Sequence, residues 1–189
     1  MIKKIVLTFI AALLLLSATA MFAQSEDHVT VGAFADYIRL HHADNANFWG
    51  LGGRVGFNVH PHVQLEAEMS YDFEQAFVNT TTTGGTVTTT TTNLRLLHGL
   101  FGPKIYAGAG PIRVFGVLKG GLLNFSTSGN VATQVGQITS GDTNGVFYPG
   151  GGIEIGHRFG IRVEVGDLMY FDRGANHNLR FTIGPQITF

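Results

Sequence analysis

The chain has no cysteine among its 189 residues. Neither a disulfide framework nor a thiolate metal site is therefore available. Charge is sparse: 13% of residues are Asp, Glu, Lys or Arg, against 44% hydrophobic. No basic patch points to nucleic acid as a partner. Beyond the first 23 residues, no apolar run approaches the roughly 20 residues that a spanning helix needs.

The one long apolar run stands at the start. Residues 1–23 read MIKKIVLTFIAALLLLSATAMFA. Lys3 and Lys4 precede an apolar stretch from Ile5 to Leu16, and small residues follow, which is the layout of a secretory signal peptide. Cleavage is expected after Ala20 or Ala23, which leaves 24–189 as the mature domain. No cysteine follows, so lipoprotein anchoring is excluded. Without Lys3 and Lys4, ten basic residues face thirteen acidic ones. A mature protein lodged in a membrane would have to be a closed barrel, because lipid offers no partner to an open sheet edge.

What the chain has in quantity is alternation. Residues 48–73 read FWGLGGRVGFNVHPHVQLEAEMSYDF. Trp49, Leu51, Val55 and Phe57 fall on one face, and Gly50, Gly52, Arg54 and Asn58 on the other. After Pro61, Val63, Leu65, Ala67, Met69 and Tyr71 oppose Gln64, Glu66, Glu68, Ser70 and Asp72. Period two means strands, since successive side chains point to opposite faces of a sheet. The short 58–62 link makes the pair an antiparallel hairpin. A soluble sandwich would turn the apolar face inward. A transmembrane barrel turns it onto lipid and keeps the charges in the lumen.

Six further segments alternate: 29–40, 93–102, 111–123, 146–156, 161–171 and 177–189. The parity of 93–102 is ambiguous at Leu96 and Leu97, and Asp167 interrupts that of 161–171, which suggests a bulge or the rim of the membrane band. With the hairpin this gives eight strands of about ten residues, the length a tilted membrane strand needs. The links also alternate. Those at 41–47, 74–92, 124–144 and 172–176 share one side, and two of them are long. Those at 58–62, 103–110 and 157–160 share the other and are short. Short periplasmic turns and longer outer loops mark outer-membrane barrels, so the reading is all-β: an eight-stranded antiparallel up-and-down transmembrane β-barrel with both termini periplasmic. The threonine-rich 74–92 stretch reads as a loop whose flanks continue the strands.

The predicted lumen holds Arg54, Arg95, Arg113, Lys119, Arg162 and Arg180 against Glu66, Glu68, Asp72, Glu154 and Glu164. An eight-strand interior is filled by side chains, and buried charges need partners. A salt-bridged polar plug is the first reading of this set. Trp49, Tyr71, Tyr170 and Phe171 suit an aromatic girdle. His60-x-His62, and His41-His42 with Asp44, could bind zinc, but no further ligand is fixed nearby, and they read as surface histidines.

The segments GLGGRVGFNVHPHVQLEAEMSYDF, PIRVFGVLKGGL and GGGIEIGHRFGIRVEVGDLMYF resemble the OmpA-like, or porin-family, eight-stranded barrel domain. The terminal Phe189, with apolar residues at every second position back to Leu179, resembles the C-terminal assembly signal of such barrels. The resemblance covers nearly the whole mature chain and leaves no room for a periplasmic peptidoglycan-binding domain. It implies the bacterial outer membrane, with lipid, lipopolysaccharide and the barrel-assembly machinery as partners. The sharper reading of the lumen charges is a gate, in which one pair, Lys119 with Glu66 or Glu68, swaps partners and opens a small pore, as the resemblance implies for such barrels in general. Small barrels include lipid A deacylases, but no serine lies in strands seven or eight near His177, so Ser/His catalysis is not expected. The expected function is non-enzymatic, without catalytic, metal or cofactor residues: a structural barrel with porin-like small-pore capacity. The alternative is adhesion through loops 74–92 and 124–144. A soluble lipocalin-like barrel with its apolar face inward is the third reading.

Overall fold

Segments whose apolar residues recur at every second position are extended in the computed structural model, which describes residues 29–41, 46–83, 86–108, 110–129, 134–135, 138–139, 143–172 and 174–189. The expected signal peptide and its cleavage sites, His42, Asp44 and much of the 124–144 link lie outside the described residues.

Eight strands make the fold: β1 (Val29–Leu40), β2 (Ala46–His60), β3 (Val63–Thr83), β4 (Thr86–Ala107), β5 (Ile112–Gly129), β6 (Thr143–Gly156), β7 (Phe159–Asp167) and β8 (Asn178–Thr188). Each pairs antiparallel with the next. The last pairs with the first, from Thr30 opposite Thr188 to Leu40 opposite Asn178. Backbone bonds of 3.2 and 2.8 Å between Val29 and Phe189 finish the seam. Closure removes the sheet edge that lipid could not satisfy.

The polarity is that of a membrane barrel. Each strand turns an apolar side chain outward, among them Val31, Leu51, Met69, Phe101, Leu118, Ile153, Val165 and Ile183. Met69 is 63% exposed, whereas Lys119 and Arg180 inside are fully buried. A lipocalin-like barrel would reverse this assignment.

The strands run further than alternation alone marked. Residues 74–83 and 86–92 are strand rather than loop. The β3–β4 pairing continues to Thr83 opposite Thr86, because threonine is a good strand former. The last β2–β3 pair is Gly50–Asp72, and a register slip follows between Asp72 and Gln75. β4 stays paired with β5 as far as Thr92 opposite Gly129, and beyond that point β3 and β4 continue as a two-stranded ribbon. At the opposite end, β4 continues through Ala107, so 103–110 is mostly strand rather than turn. Asp167 keeps its register but faces outward at the rim, where its carboxylate accepts from the Asn178 N–H at 3.0 Å.

Arginine at the bilayer midplane costs a barrel about 2–4 kcal/mol when it faces lipid. Leu118→Arg, on the outward face of β5, should therefore lower unfolding stability in lipid vesicles by that order, as read from denaturant titration. An unchanged midpoint would contradict the outward assignment.

Candidate functional site: the barrel lumen

Alternate residues of every strand point into an interior wide enough for side chains and little else. The lumen is layered along its axis. At the end where β1 begins and β8 finishes, the layer is polar, and Arg113 lies 4.4 Å over the Tyr106 ring there. Gln64 donates to Thr30 Oγ1 at 3.1 Å and to Asn58 Oδ1 at 2.9 Å, and accepts from the Tyr106 hydroxyl at 3.3 Å.

The middle layer is charged, and all eight strands contribute to it. Lys119 Nζ on β5 lies 2.6 Å from Glu66, 2.7 Å from Glu68 and 3.5 Å from Glu164. Arg162 on β7 pairs with Glu66 and Glu164. Arg180 on β8 donates from Nε and Nη2 to Asp36, 3.0 Å each, and from Nη1 to Glu68 at 2.5 Å. Lys104 on β4 pairs with Glu154 on β6. Arg54 on β2 donates to Glu164 at 3.5 Å and to Thr182 at 3.1 Å. These charges are buried, so their pairing offsets the cost of leaving water.

Aromatic rings brace the network, and inward glycines make room for them. Arg54 lies 4.2 Å over Phe34, Arg162 4.3 Å over Phe115 and Arg180 5.0 Å over Tyr148. A Cβ on Gly52 would come within 2.3 Å of the Phe34 ring, and one on Gly166 within 2.7 Å of Tyr148. These inward positions have room for a ring or a Cβ, not both.

Above the charges the interior turns apolar. Ile38, Phe48, Leu96, Leu123, Phe125 and Tyr170 belong to one buried cluster at the ribbon end. This layer corrects two expectations. Arg95 is exposed on the outer face, because β4 turns Leu94 and Leu96 inward here. Tyr170 is buried in the lumen rather than in the girdle, with its ring edge-on to Phe125 at 5.3 Å. Trp49, Tyr71 and Phe171 do face outward.

Nine of the eleven charges placed in the lumen from sequence, Arg54, Glu66, Glu68, Asp72, Lys119, Glu154, Arg162, Glu164 and Arg180, line it and are buried. Arg113 sits at the mouth, its side chain 27% exposed, and donates to Glu154 at 3.2 Å. Sequence reasoning missed Asp36, His98 and Lys104. Lys104 was hidden in the supposed turn, and His98 by the Leu96–Leu97 ambiguity. Asp36 shares its inward parity with Phe34 and Ile38, which is the signal that could have found it.

His60 and His62 sit at an exposed turn with ring centroids 5.9 Å apart. His41 Nδ1 lies 3.1 Å from the His177 carbonyl. The exposed His177 Nδ1 lies 2.5 Å from Asp167 Oδ2, a His–carboxylate pair at the rim, and β7 and β8 carry no serine. Phe189, the expected assembly signal, is exposed, and its N–H bonds the Val29 carbonyl.

An apolar outer wall around a charged, filled interior defines a transmembrane β-barrel. The sequence matches the outer membrane protein beta-barrel domain family over residues 8–184, and the chain belongs to that family. Its place is accordingly the bacterial outer membrane. Among curated proteins no sequence matches this chain. Three solved outer-membrane proteins are similar in fold. Ail, the attachment invasion locus protein of Yersinia pestis, has a TM-score of 0.54 at 11% identity, covering 87% of this chain and 100% of its own. Neisserial surface protein A reaches 0.55 at 10%, covering 85% and 97%. OprG of Pseudomonas aeruginosa reaches 0.51 at 12%, covering 88% and 97%.

Removing one partner of a buried pair leaves an uncompensated charge and costs about 3–5 kcal/mol. Arg180→Met takes the arginine from Asp36 and leaves Glu68 with Lys119 alone, and should destabilise the folded barrel by that order in urea titration. Arg113→Ala, at the solvated mouth, should cost no more than about 1 kcal/mol. Equal effects would mean that the network does not bear on stability.

Proposed function

We propose that the protein is a non-enzymatic, closed structural barrel of the outer membrane that carries a β-ribbon beyond the membrane surface. The observation that carries this reading is the complete burial of Lys104, Lys119 and Arg180 in mid-lumen beneath a packed apolar layer. Two barriers of different chemistry lie in series, and an ion would have to disrupt both. In this reading both termini are periplasmic, Phe189 in the closing strand engages the assembly machinery, and lipopolysaccharide surrounds the ribbon end.

One observation favours a small pore as the second reading: Lys119 sits almost equally close to Glu66 and Glu68. Exchange between them would need little movement. The apolar layer would still have to part.

Planar-bilayer recording separates the two readings. Protein shown to be folded by its resistance to denaturation should give no discrete conductance steps, and Lys119→Ala should stay silent. Steps in the wild type that shift in Lys119→Ala would replace the closed barrel with the gated pore.

The ribbon favours adhesion as the role of the closed barrel. Joining Val78 to Thr91 through a short turn removes it at a point where the two are paired. This deletion should leave folding intact and abolish attachment of expressing cells to their target surface. Unchanged attachment would remove the ribbon from the account.

A further inference from the structure

We infer that Asp36, His98 and Asp72 form a binding site for a divalent transition-metal ion of the zinc class, enclosed in the barrel. The three come from β1, β4 and β3 and meet between the charged layer and the apolar one. All are fully or almost fully buried. One ring nitrogen and one oxygen from each carboxylate lie within 4.8 Å of one another.

Asp72 sets the site apart from the rest of the lumen. Among the described residues, Asp36, Glu66, Glu68, Glu154 and Glu164 each have a lysine or arginine within 4.0 Å, whereas the only such basic side chain beside Asp72 is His98. Neither Asp72 oxygen accepts a hydrogen bond, and neither ring nitrogen of His98 makes one. The separations are nevertheless short: His98 Nε2 lies 3.3 Å from Asp36 Oδ2, and Nδ1 lies 3.4 Å from Asp72 Oδ2. Donor and acceptor are near but misaligned. The 3.3 Å between Nε2 and Asp36 Oδ2 is the spacing of two ligand atoms that share one ion at about 2.0–2.1 Å each.

Buried polar groups are ordinarily satisfied, and four unsatisfied atoms in one place are an unusual concentration. Donor chemistry selects the ion. One imidazole nitrogen with carboxylate oxygens suits zinc and its neighbours, which bind nitrogen at about 2.0–2.1 Å and oxygen at about 2.0–2.2 Å. Calcium and magnesium prefer all-oxygen shells. Asp36 also accepts from Arg180, so Arg180 would act behind the ligand and hold its orientation. Ile38 and Leu96, next inward on β1 and β4, close the site on one side, and Arg180 closes it on the other. An ion would therefore be captured during folding.

The test is refolding in detergent micelles with zinc, then desalting and measuring retained metal alongside the thermal midpoint. The wild type should retain about one zinc per barrel and unfold at higher temperature than chelator-treated protein, because a ligand of the native state stabilises it. Asp72→Asn, a near-isosteric change, and His98→Gln should lose both effects. The His60→Ala/His62→Ala double variant should keep both. X-ray absorption of the wild-type complex should find one imidazole in the zinc shell, which stands even if a variant fails to refold. No retained zinc, equal retention in Asp72→Asn, or a shell of two imidazoles would overturn the site. So would a doubly protonated His98 ring seen by NMR in protein that ignores zinc, since a proton would then be the occupant.

Discussion

Lipid cannot hydrogen-bond a peptide group, and the rest of this structure depends on that. Strands that cross a bilayer must find every backbone partner among themselves, so the sheet closes on itself. The Val29–Phe189 bonds and the β1–β8 register are where that requirement is met. Closure at eight strands then sets the width of the interior. Once the apolar residues face outward, their polar neighbours have only that narrow space to occupy. Ion pairing inside follows from pairing in the wall.

The interior meets the same solvent problem in two ways. In the middle, charges pair across the lumen over rings that glycines admit. At the ribbon end, the inward positions become apolar and pack like the core of a soluble protein. This second solution explains why the outer and inner surfaces of the barrel cannot be told apart by hydrophobicity alone along its whole height. Leu94 and Leu96 are inside, Leu97 is outside, and all three are apolar.

That boundary also marks how far the sequence could be read. Where one face was charged, as at Arg54 and Arg162, period two gave side, strand and partner layer together. Where both faces were apolar, around Leu96 and Leu97, parity carried no sign, and Arg95 was placed inside and His98 overlooked. Turn residues misled in another way. Pro103 and the threonine run at 86–92 read as punctuation, yet both lie within strands, because cross-strand pairing in a long hairpin outweighs local preference. Lys104 was lost for that reason. The pairing of Lys119 with three acids, and the meeting of Asp36, Asp72 and His98, depend on contacts across the lumen that spacing along one strand does not encode.

Trp49 is the chain's single tryptophan. It lies on the outer face of β2, 61% exposed and 4.8 Å from the Tyr37 ring, so its fluorescence reports directly on what the apolar wall contacts. With the protein refolded into vesicles of brominated phospholipid, Trp49 emission should be strongly quenched, most by bromine placed near the headgroups. Aqueous iodide should have little effect. Emission that ignores the brominated chains and is quenched from the water side would contradict the account, because the apolar face would then not be the lipid face.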